Sequence, residues 1–195
     1  MPLYAGGGGP SKLTVGIPDC ARRITVADLR DITELILDDN AHMRELMKVT
    51  LSDFGMRHIY EAADGAAAMA KLDLGDVDIA FVDLKHGSMA HLGGIEFCRE
   101  VRKRPETEIR HLPLIVVTAY SELRYLKQAV DAGADEFLAK PVSAAAIARR
   151  INAVVEHRRP FIRTPDFFGP DRRRRRDNKF KGPFRRSDDS SDVEI

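Results

Sequence analysis

Five polar side chains of this sequence follow short apolar runs and could act together on a phosphoryl group. They are three carboxylates, one hydroxyl and one ammonium: Asp38, Asp39, Asp83, Thr118 and Lys140. Carboxylates that pack together repel one another, and a hard cation such as Mg²⁺ relieves the repulsion while keeping several of its waters. The Asp83 carboxylate can then attack phosphorus and hold the phosphoryl group as an acyl phosphate, while Mg²⁺ and the ammonium neutralise charge on the transferring oxygens.

Taken one at a time, these residues are weak evidence. Asp38-Asp39 is equally typical of a loop or helix-cap pair, and Thr118 of an ordinary strand end. Lys140-Pro141 is typical of a turn, and Asp83 of a solvated cap after an apolar strand. The chemical interpretation gains weight if all five meet at one edge of a sheet.

The elements that would position these side chains alternate along the chain. A helical pattern follows each of five apolar runs of strand length, which end near Leu37, Ala62, Val82, Val117 and Ala139. Gly55 and Gly133 stand where helices would end in a left-handed cap, and Ser143 stands where the last helix would begin. Because most of the strands are apolar throughout, we expect a parallel sheet with helices on both faces, a doubly wound α/β fold. Ligands bind such sheets beyond the carboxyl ends of the strands.

Four motifs of the sequence together resemble the receiver domain of bacterial two-component response regulators, of the CheY-like type: L-I-L-D-D-N, A-F-V-D-L, I-V-V-T-A and G-A-D-E-F-L-A-K-P. The resemblance covers about residues 33–157. It implies a flavodoxin-like (βα)5 domain with a five-stranded parallel sheet, and Mg²⁺ as its cofactor.

The resemblance also implies a role for each site residue. The phosphoacceptor is Asp83, the metal ligands are Asp38, Asp39, Asp83 and the backbone carbonyl of Lys85, and the phosphoryl-binding and switch residues are Lys140, Thr118 and Phe137. Phe137 matches the switch aromatic of the family, although plain core packing explains an aromatic residue there about equally well. The Lys140-Pro141 bond matches a cis peptide of the family.

The segment after Asp83 departs from the family pattern. It is longer than the usual turn and lacks its proline. Lys85 stands where receivers control the access of water to the phosphoryl group, so the departure bears on phosphoryl lifetime and on Mg²⁺ affinity. His86 and His91 could be metal ligands, but without a Cys or acidic partner at zinc spacing a solvated loop is favoured.

The charge distribution separates a mildly acidic body from a basic arm. Residues 158–186 hold 12 Lys or Arg against three Asp, whereas the formal net charge of the whole chain is +1. Any contact with a polyanion is therefore expected of the arm. We expect a flexible leader over residues 1–32, a receiver domain over 33–157 and a disordered basic tail over 158–195.

The tail contains an internal repeat of the form F-x-G-P-x-R-R, in which residues 167–173 align with residues 180–186. A solvated tail is one interpretation. The other is a pair of docking elements for nucleic acid, an acidic protein surface or anionic lipid. In one version the arm docks on the acidic body near Asp131, Asp135 and Glu136, and phosphorylation releases it.

The sequence therefore predicts a single-domain response regulator, not an enzyme. A histidine kinase or phosphotransfer protein would phosphorylate Asp83, and the output would be altered binding of a downstream protein. The alternatives are a nucleic-acid-binding regulator acting through the arm and a degenerate receiver that is not phosphorylated. A third alternative is a phosphatase of the haloacid-dehalogenase type. Such an enzyme places its nucleophile after the first strand, with a second Asp two residues on. Here Asp83 follows the third strand and Lys85 stands in place of the second Asp, so this alternative is not favoured.

Composition bears on the cellular setting. Two cysteines, Cys20 and Cys98, cannot form a disulfide framework, and Cys98 is expected to be a buried, inert thiol. No apolar stretch approaches the roughly 20 residues that span a bilayer, and no signal-peptide pattern is present. We expect a soluble cytoplasmic protein without a transmembrane segment.

Overall fold

The computed structural model describes residues 28–84, 93–105, 108–119, 123–172 and 193–194. The strands in these residues are β1 (Thr33–Leu37), β2 (His58–Ala62), β3 (Ile79–Asp83), β4 (Leu114–Thr118), β5 (Glu136–Ala139), β6 (Phe161–Thr164), β7 (Phe167–Pro170) and β8 (Val193–Glu194). The α-helices are α1 (Ala41–Asp53), α2 (Gly65–Leu72), α3 (Gly94–Lys103), α4 (Leu123–Asp131) and α5 (Ala144–Glu156). Short 3-10 turns cover Asp28–Asp31 and Glu108–His111.

Local signals in the sequence explain where several helices begin and end. The side chains of Asn40, Asp64 and Ser143 accept hydrogen bonds from backbone N–H groups in the first turns of α1, α2 and α5, so each acts as an N-cap. Gly55 and Gly133 follow α1 and α4 with φ angles of 91° and 88°. A left-handed backbone favours glycine, and both predicted caps are confirmed.

The first five strands form the predicted parallel sheet, in the order β2-β1-β3-β4-β5. Every neighbouring pair is parallel, for example Leu37 beside Val82 and Asp83 beside Val117. The order reverses direction between β1 and β3, which is where a doubly wound sheet opens a crevice at its carboxyl edge. The predicted fold class is confirmed.

Two apolar layers cover the faces of this sheet, because successive strand residues point to opposite sides. α2, α3 and α4 pack on the face that includes Leu35, Ala80, Val82, Leu114 and Val116. α1 and α5 pack on the face that includes Ile36, Phe81, Ile115, Val117 and Leu138.

The helices in the described part of the chain are short. α3 holds Cys98, which is fully buried, and burial raises the pKa of its thiol to about 12, as expected of an inert core cysteine. None of the helices in the described ranges has the length and apolar character of a membrane span.

The prediction of a disordered tail from residue 158 is wrong for residues 158–172. β6 and β7 form an antiparallel hairpin, in which Thr164 pairs with Phe167 across a two-residue turn. Phe161, Ile162 and Phe167 are buried. The composition of the whole tail had suggested too little apolar surface for folding, but this first part needs no core of its own because it packs on the domain. β8 pairs with β6 in the same antiparallel sheet. The rest of the predicted leader and tail lies outside the described residues, namely residues 1–27, 173–192 and 195.

Arginine contacts fix the hairpin to the domain. Arg158 Nε donates to Asp135 Oδ1 at 3.0 Å, and Arg172 pairs with Asp131 at 3.3 Å. The guanidinium of Arg102 lies 5.0 Å from the Phe161 ring, as in a cation–π contact. Two of the three acidic residues expected to receive the arm therefore do so, whereas the third, Glu136, pairs with Arg150 of α5.

One carboxylate, that of Asp135, connects the hairpin with the domain core. Its Oδ2 accepts hydrogen bonds from Arg102 Nη2 at 2.8 Å and from the Leu114 backbone N–H at 2.9 Å. The starts of β4 and β5, the end of α3 and the arm therefore meet at one buried ion pair. The folded unit extends to residue 172 and does not stop at residue 157.

Candidate phosphoacceptor and metal site

Four of the predicted site residues lie at the carboxyl edge of the parallel sheet. Asp38 follows β1, Asp83 ends β3, Thr118 ends β4 and Lys140 follows β5. β1 and β3 are neighbours in the sheet, so the first two carboxylates lie next to each other. The sequence-based expectation that these side chains share one edge is confirmed as geometry.

Lys140 joins two of the carboxylates. Its Nζ lies 2.8 Å from Asp38 Oδ2 and 2.9 Å from Asp83 Oδ1. Partial burial alone would lower the pKa of Lys140, but the hydrogen bonds and charges of the two aspartates outweigh this effect and raise it. The amine is therefore held as an ammonium between two carboxylates at neutral pH.

Asp39 completes an acidic cluster with this pair. One carboxylate oxygen from each of Asp38, Asp39 and Asp83 lies within 4.8 Å of the others. Asp38 and Asp83 are buried, whereas Asp39 is exposed. In their ionised form the three carboxylates exceed the charge of Lys140 by two, which matches a divalent cation, and an all-oxygen donor set open to water on one side suits Mg²⁺.

Thr118 and Phe137 lie on the two strands beyond Asp83. Thr118 is buried at the end of β4, and its backbone carbonyl accepts a hydrogen bond of 2.8 Å from the Lys140 N–H. Phe137 is half-buried on β5 and packs against the apolar layer on the side of α2, α3 and α4. Lys140-Pro141 is a cis peptide, as the resemblance implies.

Two residues at this site were not singled out from the sequence. The Arg44 guanidinium donates from Nη1 to the backbone carbonyl of Asp38 at 2.8 Å. Gly94, the first residue of α3, lies so close to the carbonyl oxygen of Asp83 that a Cβ atom there would collide with it. Glycine in the first turn of a helix is a poor helix former, and that was the available signal. Arg44 gave none, because charged residues are ordinary on the exposed face of a helix.

Three other predicted positions lie outside the described residues. These are Lys85, expected to offer its carbonyl to the metal, and the loop histidines His86 and His91. Their predicted roles remain predictions.

A family model described as the response regulator receiver domain matches residues 35–152. The chemotaxis protein CheY-3 of Vibrio cholerae serotype O1 is 31% identical over 122 residues, which cover 63% of this chain and 90% of that protein. The chemotaxis protein CheY of Pseudomonas aeruginosa is 32% identical over 122 residues, covering 63% of this chain and 94% of that protein.

A solved structure gives the same result at the level of the fold. The signal receiver domain of a signal transduction histidine kinase from Syntrophus aciditrophicus aligns with a TM-score of 0.56 and 25% identity, over 64% of this chain and 89% of that one. The hairpin of residues 161–170 lies beyond the matched residues 35–152. Receiver domains bind Mg²⁺ through an acidic cluster, and Asp38, Asp39 and Asp83 form such a cluster.

Proposed function

This chain belongs to the family of response regulator receiver domains, and we propose that it is a phosphorylation switch of two-component signalling in which Asp83 accepts the phosphoryl group. The observation that carries the proposal is the position of Asp83. Its carboxylate ends a central strand, lies within 4.8 Å of two other carboxylates and is 2.9 Å from the Lys140 ammonium.

The proposed reaction is an in-line transfer. A carboxylate oxygen of Asp83 forms a bond to phosphorus while the bond from phosphorus to the donor atom breaks, and the donor keeps that electron pair. Asp38, Asp39 and Asp83 would hold a Mg²⁺ ion, which supplies positive charge to the phosphoryl oxygens. Lys140 supplies the second positive charge, since its ammonium already lies against the nucleophile. Such a transfer depends on positioning and electrostatics and needs no acid or base.

The proposed switch follows from the charge that the reaction adds. A phosphoryl group brings about −1.5 to −2 charges to the sheet edge. Thr118, at the end of the neighbouring strand, would donate its hydroxyl to a phosphoryl oxygen, and β4 and β5 would adjust with it. Phe137 is half-buried on β5 and would move further inward as the strand follows Thr118. The output would be a changed surface over residues 118–150.

The proposed partners follow from the same chemistry. A sensor histidine kinase or a phosphotransfer protein would donate the phosphoryl group, and a downstream protein would bind the changed surface. The described part of the basic arm does not favour the nucleic-acid alternative, because Arg158, Arg159 and Arg172 are engaged by the protein itself.

Intact-mass measurement after incubation with acetyl phosphate tests the proposal. The wild type should gain one phosphoryl group in Mg²⁺ and none in a chelator, and hydroxylamine should remove the label. Asp83→Asn should gain none, because an amide is no nucleophile here. The control Asp53→Asn alters an exposed carboxylate at the far end of α1 and should behave as the wild type. A phosphoryl group that persists in Asp83→Asn would refute the assignment.

A further inference from the structure

Arg44 of α1 lies beside the acidic cluster and contacts both the backbone of Asp38 and the side chain of Glu61. Its Nη1 donates to the backbone carbonyl of Asp38 at 2.8 Å, and its Nε lies 3.4 Å from Glu61 Oε2. A cation beside a cation-binding site weakens binding electrostatically. If Arg44 supports cation binding, it must do so by a contact that offsets this electrostatic repulsion.

The carbonyl that Arg44 holds belongs to the peptide unit joining Asp38 to Asp39. The plane of that unit sets the direction from which both carboxylates leave the backbone. Besides the contact of its Oδ2 with Lys140, Asp38 makes two further hydrogen bonds. Its N–H donates to the Ala62 carbonyl at 3.2 Å, and its Oδ1 accepts from the Asn40 N–H at 2.9 Å. Arg44 holds the carbonyl of the unit between the two acids.

Glu61 orients Arg44 in turn. Glu61 lies in β2 beside Ile36 of β1, so it is carried by the same sheet as Asp38. Its second oxygen accepts a hydrogen bond of 2.9 Å from Lys48. That bond and the positive charges of Lys48 and Arg44 lower the pKa of Glu61 despite its partial burial. The charge of Arg44 is thereby partly balanced, while its hydrogen bond to Asp38 is kept.

We propose that Arg44 is a positioning residue for the acidic pair, one that holds the Asp38–Asp39 peptide unit so that both carboxylates face the same cation. This inference rests on the proposed function, since it takes Mg²⁺ to be the cation. Groups that orient metal ligands typically change metal affinity by about 10- to 100-fold when they are removed.

Calorimetric titration with Mg²⁺ separates positioning from simple electrostatics. Loss of a positive charge alone would tighten Mg²⁺ binding, whereas loss of positioning weakens it. We expect Arg44→Gln to bind Mg²⁺ about 10-fold more weakly than the wild type. Lys48→Gln removes the same charge from the same glutamate without touching Asp38, so it should bind at least as tightly as the wild type. Arg44→Lys keeps the charge with a single donor group and should fall between the wild type and Arg44→Gln.

Amide hydrogen exchange without Mg²⁺ provides a second readout. The amides of Asp38 and Asn40 should exchange faster in Arg44→Gln than in Lys48→Gln, with equal thermal midpoints showing that both variants are folded. Equal exchange together with unchanged or tighter Mg²⁺ binding in Arg44→Gln would overturn the inference. If the wild type binds no Mg²⁺, the proposed function fails at this point, and the exchange rates alone decide whether Arg44 orders the pair.

Discussion

Glu34 gives the protein a dependence of stability on pH that can be worked out in advance. It lies in β1 between Ile59 and Ile79, with none of its side chain exposed to solvent. Neither carboxyl oxygen has a hydrogen-bond partner within the described part of the chain. Burial, with a smaller contribution from nearby Asp78, raises the pKa of Glu34 from 4.5 to about 8. The carboxyl is therefore protonated in the folded protein at neutral pH.

The sign and size follow from proton linkage. Between pH 4.5 and 8 the folded protein keeps the Glu34 proton, whereas the unfolded chain has released it. The free energy of unfolding therefore falls by about 1.4 kcal/mol for each pH unit in this window and levels off above the folded-state pKa. The full effect approaches roughly 5 kcal/mol, a large part of the stability of a domain of this size.

Urea unfolding of Glu34→Gln and the wild type at several pH values measures this effect. The variant cannot titrate at residue 34, so its stability relative to the wild type should rise by roughly 2 to 3 kcal/mol between pH 5.5 and 7.5. Contributions from other groups are common to both proteins and cancel in the difference. Glu96→Gln, at an exposed position of α3, is the control for the loss of a surface carboxylate. A difference for Glu34→Gln that does not change with pH would refute the reasoning.

Three further outcomes are expected. Asp39→Ala should weaken Mg²⁺ binding at least ~10-fold in a titration while Asp53→Ala does not, because only the first removes a ligand; equal affinities would make the acidic pair structural. A chain ending at residue 157 should be less stable in urea by roughly 3 kcal/mol or more, because burial of three apolar side chains of the hairpin contributes about 5 to 9 kcal/mol and the ordering of the hairpin offsets part of it. A chain ending at residue 172 should keep this stability, and equal losses would contradict the docked hairpin. Phosphorylation should change hydrogen exchange across the described residues within 118–150, and unchanged protection there would reject the switch.

The sequence predicted those features that depend on local pattern and on the direction of strands. Asp38, Asp83 and Lys140 could be placed together because parallel strands bring their carboxyl ends to one edge. The cap pattern predicted that Gly55 and Gly133 end helices. The charge distribution predicted that the arm contacts the region of Asp131 and Asp135.

The features that the sequence did not predict depend on contacts between distant segments. The hairpin of residues 161–170 was hidden by the polar composition of the tail around it. Its strand signal was short. The surface that stabilises it belongs to α3, to the segment from the end of α4 to the start of β5, and to the 3-10 turn before β4. Glu34 resembled any charged residue at a strand start, because only the folded sheet shows that it is fully buried. Arg44 gains its role only through the carbonyl of Asp38.

The repeat in the arm also has a partial explanation in the structure. In the first copy, Phe167 is buried and Arg172 pairs with Asp131. Gly169 lies against Gly133, where a Cβ atom would be 3.0 Å from the Gly133 Cα. These three residue types recur at positions 180, 182 and 185. The second copy lies outside the described residues, and its role stays a prediction.

The central claim is that Asp83 carries the phosphoryl group, and chemical mapping in the unmodified chain tests it most directly. Borohydride reduces an aspartyl phosphate to homoserine, so the wild type phosphorylated in Mg²⁺ and then reduced should yield one modified peptide, with homoserine at position 83. The same protein treated without a phosphodonor provides the background. Homoserine at position 38, at position 39 or at any other aspartate, or no homoserine in a protein whose mass shows one phosphoryl group, would contradict the account.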